Sequence, residues 1–249
     1  QYFDYLSGLV HGDLGHSYVS HEPVLDRLAA QFPSTAWLAS LAGLVAVLLG
    51  VGLGVLSARH HGSWLDQALQ CVALPMISVP PFFTGILAIL LFSVTLGWLP
   101  VIGDGGILPS VMPVCCLGVV VSVPILRIVR DGILEGLHEP YVTTLRAKGL
   151  GERRIFYTHV LRNAMIATVT LLSVSVGELL SGTVVMETLF ARQGIGRVAV
   201  EALNQKDMPV VQGAILLASV TYVLINLAVD LSYTWIDPRT RLADAGGAR

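Results

Sequence analysis

Apolar residues fill five long runs along the chain, with shorter polar stretches between them. Thr35 to Ala58 carries no charge, and its length of about 24 residues crosses roughly 30 Å of hydrocarbon as a helix. Within it Ala42, Ala46, Gly50, Gly54 and Ala58 recur at every fourth position. Such a small-residue stripe predicts close approach of a neighbouring helix. Ala68 to Leu99 is too long for one straight crossing, and Pro75, Pro80 and Pro81, with Ser78 beside them, predict a kinked span over 68–98. Irregular backbone at membrane depth is tolerated where it is buried in protein or lines a cavity. The first span is predicted over 35–58, and further spans over 108–130, 164–186 and 209–236.

The polar stretches carry the turn signals. Residues 1–33 read as a segment outside the spans, with a turn at Gly12-Asp13-Leu14-Gly15-His16-Ser17 and a short surface helix from Pro23 to Leu28. Pro100 to Pro109 is a Gly/Pro-rich loop. Glu187 to Asp207 predicts a re-entrant turn and a short helix from Arg197 to Asn204. Residues 34–237 form the membrane domain, and 238–249 an Ala/Gly-rich tail.

Composition agrees with this pattern. Of 249 residues, 54% are hydrophobic and 13% charged, and the mean hydropathy is +0.72; soluble domains carry about 25% charged residues. The fold class is all-α, a polytopic membrane helical bundle of one domain in contact with the lipid bilayer. A net charge of −2 without a basic run or aromatic platform gives no nucleic-acid surface. Cys71, Cys115 and Cys116 lie in apolar runs without Cys-x-x-Cys spacing and read as packing residues.

Charge also orients the chain. With the basic 139–163 stretch inside, every Lys and Arg apart from Arg27, Arg192, Arg197 and Lys206 falls in or beside cytoplasmic segments. Gln1 then lies outside, and an inside amino terminus requires one further span ahead of it, six in all.

Candidate chemistry is sparse. Glu178 is an acid inside a predicted span, and an ionisable residue there is a functional-site hypothesis by default. It suits a substrate amine, a cation, or an arginine beside a water-filled vestibule. Ser78, Pro80, Pro81 and Ser122 are further pathway candidates. Asn226 and Asp230 lie one turn apart on one helix face. Arg127 and Arg130 sit where they can snorkel to the interface. His11, His16 and His21 share no helix face, and no metal site is expected. The chain has no Gly-x4-Gly-Lys-[Ser/Thr] loop, no His-Glu-x-x-His and no Gly-x-Ser-x-Gly, so no ATP site, cofactor or catalytic residue is expected in it.

Glu139 to Asn163 is the most polar stretch. Arg146, Lys148, Arg153, Arg154 and Arg162 stand against Glu139 and Glu152. Gly149-Leu150-Gly151 divides it into two helical pieces, Tyr141 to Lys148 and Glu152 to Val160, with glycine supplying a turn of positive φ. Basic residues in a cytoplasmic loop follow from orientation alone. The apolar Val142, Leu145, Leu150, Ile155, Phe156 and Val160 do not, and they predict a platform that another protein grips.

The order of residues here, Tyr-Val-x-Thr-x-Arg-Ala-Lys-Gly-Leu, then Glu-Arg-Arg-Ile, then His-Val-Leu-Arg-Asn, resembles the coupling loop of binding-protein-dependent ABC importer permeases, in the dipeptide, oligopeptide and nickel branch. The family's Glu-Ala-Ala is replaced by Thr143-Thr144-Leu145. Gly-Asp-Leu-Gly-x-Ser, Ser-Val-Pro-Pro-Phe-Phe-Thr-Gly, Glu-Thr-Leu-Phe before Gly-Ile-Gly, and the terminal Asp237-Pro238-Arg239-x-Arg241 are similar to the same branch, in order along nearly the whole chain.

The resemblance implies the type I ABC importer permease fold, a multi-pass protein of the bacterial inner membrane. It implies that Leu145, Arg146, Ala147, Lys148, Gly149, Leu150, Gly151, Glu152, Arg153 and Arg154 couple to an ATPase. Phe190, Gly194, Gly196 and Arg197 would form an outer gate against a docked binding protein. It implies a second homologous permease, two nucleotide-binding ATPase subunits that hold ATP and Mg, and an extracytoplasmic solute-binding protein. Peptides are the expected substrate, with nickel or a metal chelate as the alternative. In other classes, a gradient-driven secondary transporter would depend on a proton gradient instead of ATP, and a membrane enzyme would need a nucleophile beside a base.

Overall fold

The computed structural model describes residues 7–9, 12–102 and 106–236, without the side chains of 166, 167, 170–174, 230 and 232–236. His11, the carboxylate of Asp230 and the terminal Asp237, Pro238, Arg239 and Arg241 lie outside the described residues. Among the described residues the regular structure is helical, apart from one antiparallel bridge between His16 and Pro23.

Helix α1 spans Val24–Arg59. The predicted surface helix at Pro23–Leu28 is therefore not separate from the span at 35–58. Pro33 lies inside the continuous helix and costs it a backbone hydrogen bond. Tertiary packing outweighs that cost, because Val24, Leu28 and Leu38 on both sides of Pro33 are fully buried.

Helix α2 spans Trp64–Ser78, and α3 spans Pro81–Ala88 and continues as a π-helical turn through Thr95. The predicted kinked span at 68–98 is thus broken into two helices. A residue before proline is pushed out of the helical region, and both Val79 (φ −87°, ψ 121°) and Pro80 (φ −62°, ψ 145°) are extended. Pro81 then opens the next helix, where a missing N–H costs nothing.

Helix α4 spans Leu108–His138, α5 Pro140–Ala147 and α6 Glu152–Arg154; a π-helical turn at Ile155–Val160 leads into α7, Leu161–Leu189. Helix α8 spans Ile195–Asn204 and α9 Met208–Ile236. Among the described residues, α1, α4 and Met208–Val229 are each long and apolar enough to cross a membrane, and α2 with α3 counts as a fourth when joined. Helix α7 is 29 residues long.

The chain divides into two compact units. In the unit of residues 1–43, 80–118 and 178–223, Leu14, Val24 and Leu28 pack with Ile195, Val198, Ala202, Val210 and Ala214. Gly213 permits this, since a Cβ there would stand 2.6 Å from Val24 Cγ1. In the unit of residues 44–79, 119–177 and 224–249, a Cβ at Gly50 would meet Ile125 at 2.6 Å, and one at Gly54 would meet the Leu126 carbonyl at 2.8 Å. All five stripe residues, Ala42 to Ala58, are buried.

Candidate functional site

The 139–163 stretch builds a two-helix element from local rules. Glu139 is extended, and Pro140 starts α5 at a position where its fixed φ is already helical. After Lys148 the chain turns through Gly149 at φ +78°, a conformation that side chains with a Cβ resist. The Leu150 N–H closes back on the Leu145 carbonyl at 3.2 Å. Across the turn, Arg146 grips Glu152 with Nε at 2.7 Å and Nη2 at 3.2 Å. This bond holds the Glu152 carboxyl below its ordinary value and the Arg146 guanidinium above its own.

Apolar and polar residues separate by face. Val142, Ile155 and Val160 are fully buried. Leu145 and Leu150 are half-buried, and Arg146, Ala147, Lys148, Gly149, Gly151, Glu152, Arg153 and Arg154 are exposed. Phe156 and Tyr157 meet edge to face at 4.9 Å, and Arg59 Nη1 donates to the Tyr157 hydroxyl at 3.1 Å. Between these groups a groove of about 250 Å³ is lined by Ala58, Arg59, Leu137, Arg146, Glu152, Arg153, Phe156 and Tyr157. The element is apolar and buried underneath and mostly basic on top.

In the same unit, Arg130 does not snorkel. It is bound to Asp66 through Nε at 2.9 Å and Nη2 at 3.0 Å, with side-chain exposures of 17% and 4%. Ser57 Oγ, His61 and the Gly62 N–H also reach the Asp66 carboxylate. A buried acid on a neighbouring helix offers charge and hydrogen bonds together, which outweighs reaching for water.

The other unit holds two buried carboxylates. Glu187 accepts from Thr35 Oγ1 at 2.6 Å and from the backbone of Gly196 at 2.8 Å and Arg197 at 3.3 Å. Thr35 in turn accepts from the Ile195 N–H at 2.9 Å. A side chain at Gly194 or Gly196 would collide with Glu187. Phe190 is buried, and Arg197 is only half-buried, with Nε on Glu201 at 2.7 Å and Nη1 on the Ala191 carbonyl at 2.7 Å. Asp207 accepts from Ser17 Oγ at 2.5 Å and the Tyr18 N–H at 3.0 Å, with Arg27 at 3.9 Å. Burial pushes the Asp207 carboxyl up, but these donors together hold it below its ordinary value. The reading of residues alone missed Glu187 and Asp207 as anchors. A Glu followed seven residues later by Gly-x-Gly was the available signal for Glu187.

The pathway candidates are less unified. Ser78 and Ser122 belong to one unit, and Pro80, Pro81 and Glu178 to the other. Ser122 is buried and donates to the Val119 carbonyl of its own helix at 2.7 Å. Ser78, Pro80 and Glu178 are exposed, and Pro81 is half-buried. Among the described residues no group of His, Cys, Asp or Glu is placed to hold a metal ion.

Residues 50–242 match the model of the binding-protein-dependent transport system inner membrane component. The glutathione transport system permease protein GsiC of Escherichia coli O6:H1 is 40% identical over 241 residues, covering 97% of this chain and 79% of the relative. The protein of the same name from Escherichia coli strain K12 is 39% identical over the same coverage. Two solved structures share the fold at lower identity. An inward-facing MetNI methionine ABC transporter matches with a TM-score of 0.71 at 18% identity, over 87% of this chain and 99% of that one. An amino acid ABC transporter matches with a TM-score of 0.61 at 15% identity, over 95% and 98%. The chain belongs to the binding-protein-dependent transport system inner membrane components, as a multi-pass permease subunit of an ABC importer in the peptide and nickel branch.

Proposed function

We propose that this chain pairs with a second, homologous permease to import peptides, substrates of glutathione size among them, by alternating access. A solute-binding protein outside delivers the substrate to a path between the two permeases. Two ATPase subunits inside bind ATP and Mg, and this chain carries no catalytic residue of its own. The peptide assignment is supported by the names of relatives that match 97% of the chain.

The observation that carries the ATPase coupling is the two-faced element at 139–163. Val142, Ile155 and Val160 are fully buried beneath an exposed rim that includes Arg146, Lys148, Arg153 and Arg154. An element seated on a buried apolar base moves with the helices it packs on, and a basic rim meets an acidic cleft with high specificity. Arg153 and Arg154 face that cleft, and Leu150 sits in it.

The test is a double reversal, Arg153→Glu with Arg154→Glu, in the complete complex in proteoliposomes. Uptake of a tripeptide and substrate-stimulated ATP hydrolysis should both fall by at least about tenfold, with the chain still inserted. Transport and ATPase co-purification left intact would sink the coupling assignment.

A further inference from the structure

Helix α7 carries one ionisable residue between Asn163 and Glu187, and it is Glu178. At ~1.5 Å per residue Glu178 lies roughly 13 Å along the axis from Glu187, well inside the span. It is exposed. Its carboxylate has no hydrogen-bond or ion-pair partner among the described residues.

Its neighbours make the exposure informative. Ser181 and Thr188, three and ten residues on, share its helix face and are exposed as well, with half-buried Val185 between them. Among the described side chains of α7, no large hydrophobic residue is exposed. Helix α9 has the opposite surface: it exposes Ile215, Val220, Val223, Leu224, Leu227 and Leu231. That is the surface acyl chains solvate. A carboxylate and two hydroxyls are not, because hydrocarbon offers them no hydrogen bonds.

We propose that the Glu178–Ser181–Thr188 face lines the aqueous path and that the Glu178 carboxylate receives a protonated amine of the passing substrate; the substrate part rests on the peptide reading above. An ammonium donates hydrogen bonds and needs acceptors alone, and a carboxylate beside a serine hydroxyl supplies them. A metal cation would need several anionic or imidazole ligands, and among the described residues no such group exists.

The experiment has two arms in the complete complex. In a background with Cys71, Cys115 and Cys116 replaced by alanine, Ser181→Cys is labelled with cationic and anionic membrane-impermeant methanethiosulfonates. The cationic reagent should react about tenfold faster, adding Glu178→Gln should remove that preference, and Val220→Cys should react with neither. Ser181→Cys as inert as Val220→Cys, or reactive without charge preference, overturns the proposal. In the second arm, Glu178→Gln should lower uptake of trialanine by about tenfold, the weight of a charge-assisted hydrogen bond, and Glu178→Asp should restore most of it. Unchanged uptake, or loss of the co-purifying second permease on Glu178→Gln, overturns the amine role, the latter in favour of an ion pair between subunits. If the wild-type complex does not move trialanine, the peptide reading fails, and the labelling arm alone decides whether the path is aqueous and selects cations.

Discussion

Arg130 holds Asp66 with Nε and Nη2 at 2.9 and 3.0 Å, and Arg146 holds Glu152 with the same two atoms at 2.7 and 3.2 Å. The forks are alike, and both pairs belong to one unit. Their surroundings differ. Asp66 is 4% exposed at its side chain, and Glu152 is 66% exposed. Water competes for the second pair and screens it, so it orients the turn at Gly149 and adds little stability. The first pair has already lost its water. Its attraction offsets the desolvation of two ions, and removing either partner takes from the other its main counter-charge. Geometry alone therefore does not rank ion pairs; the medium around them does.

Asp66→Asn breaks this comparison most severely. It leaves Arg130 with exposed Asp131 and His61 as remaining partners, and should cost about 3 kcal/mol, read as a lower unfolding midpoint in detergent. Asp66→Leu with Arg130→Met should recover much of that loss; no recovery would mean that the pair also serves a purpose beyond packing. Ser57→Ala comes next. It deletes one hydroxyl donor to the Asp66 carboxylate and should cost about 1.5 kcal/mol, as hydrogen bonds to charged groups do.

The smallest effect is expected at the exposed pair, and pH sharpens it. The Glu152 carboxyl titrates below its ordinary value in the folded chain. Its contribution is therefore complete above that ordinary value and is lost as pH falls through the folded one. The difference in unfolding midpoint between wild type and Glu152→Gln should be slight at pH 7, shrink toward pH 3, and shrink again in 1 M salt, where the screening length falls to about 3 Å. A difference that survived acid and salt would place this pair in the same class as Asp66–Arg130.

Much of the architecture was legible from residue order. Long uncharged runs mark helices because hydrocarbon demands both length and internal hydrogen bonds. Gly149 marks the turn because of its φ, and the stripe from Ala42 to Ala58 marks a packed face because a Cβ has no room at Gly50 or Gly54. The continuity of α1 through Pro33 was not legible, since it rests on Val24 and Leu28 meeting Ile195 and Val210 far along the chain. Two prolines in a row at Pro80-Pro81 did carry the signal for a full break, because each disfavours helix in the residue before it. The Asp66–Arg130 pair joins residues 64 apart, and spacing within a helix says nothing of such a partner. For the 139–163 stretch, sequence and structure meet closely, since the Leu150–Leu145 turn bond and the Arg146–Glu152 fork join residues no more than six apart.

The tether between Ser17 and Asp207 closes over 190 residues, and that between Thr35 and Glu187 over 152. A ribosome adds about 5–20 residues each second, so the early hydroxyls wait roughly ten to forty seconds for the carboxylates that complete them. Until then Ser17 and Thr35 lack the carboxylates that accept their hydroxyls in the folded chain. Synthesis of the segment from Glu187 to Asp207 is therefore also the step that fastens Ser17 and Thr35, and a ribosome that stalls before Asp207 leaves Ser17 without its partner.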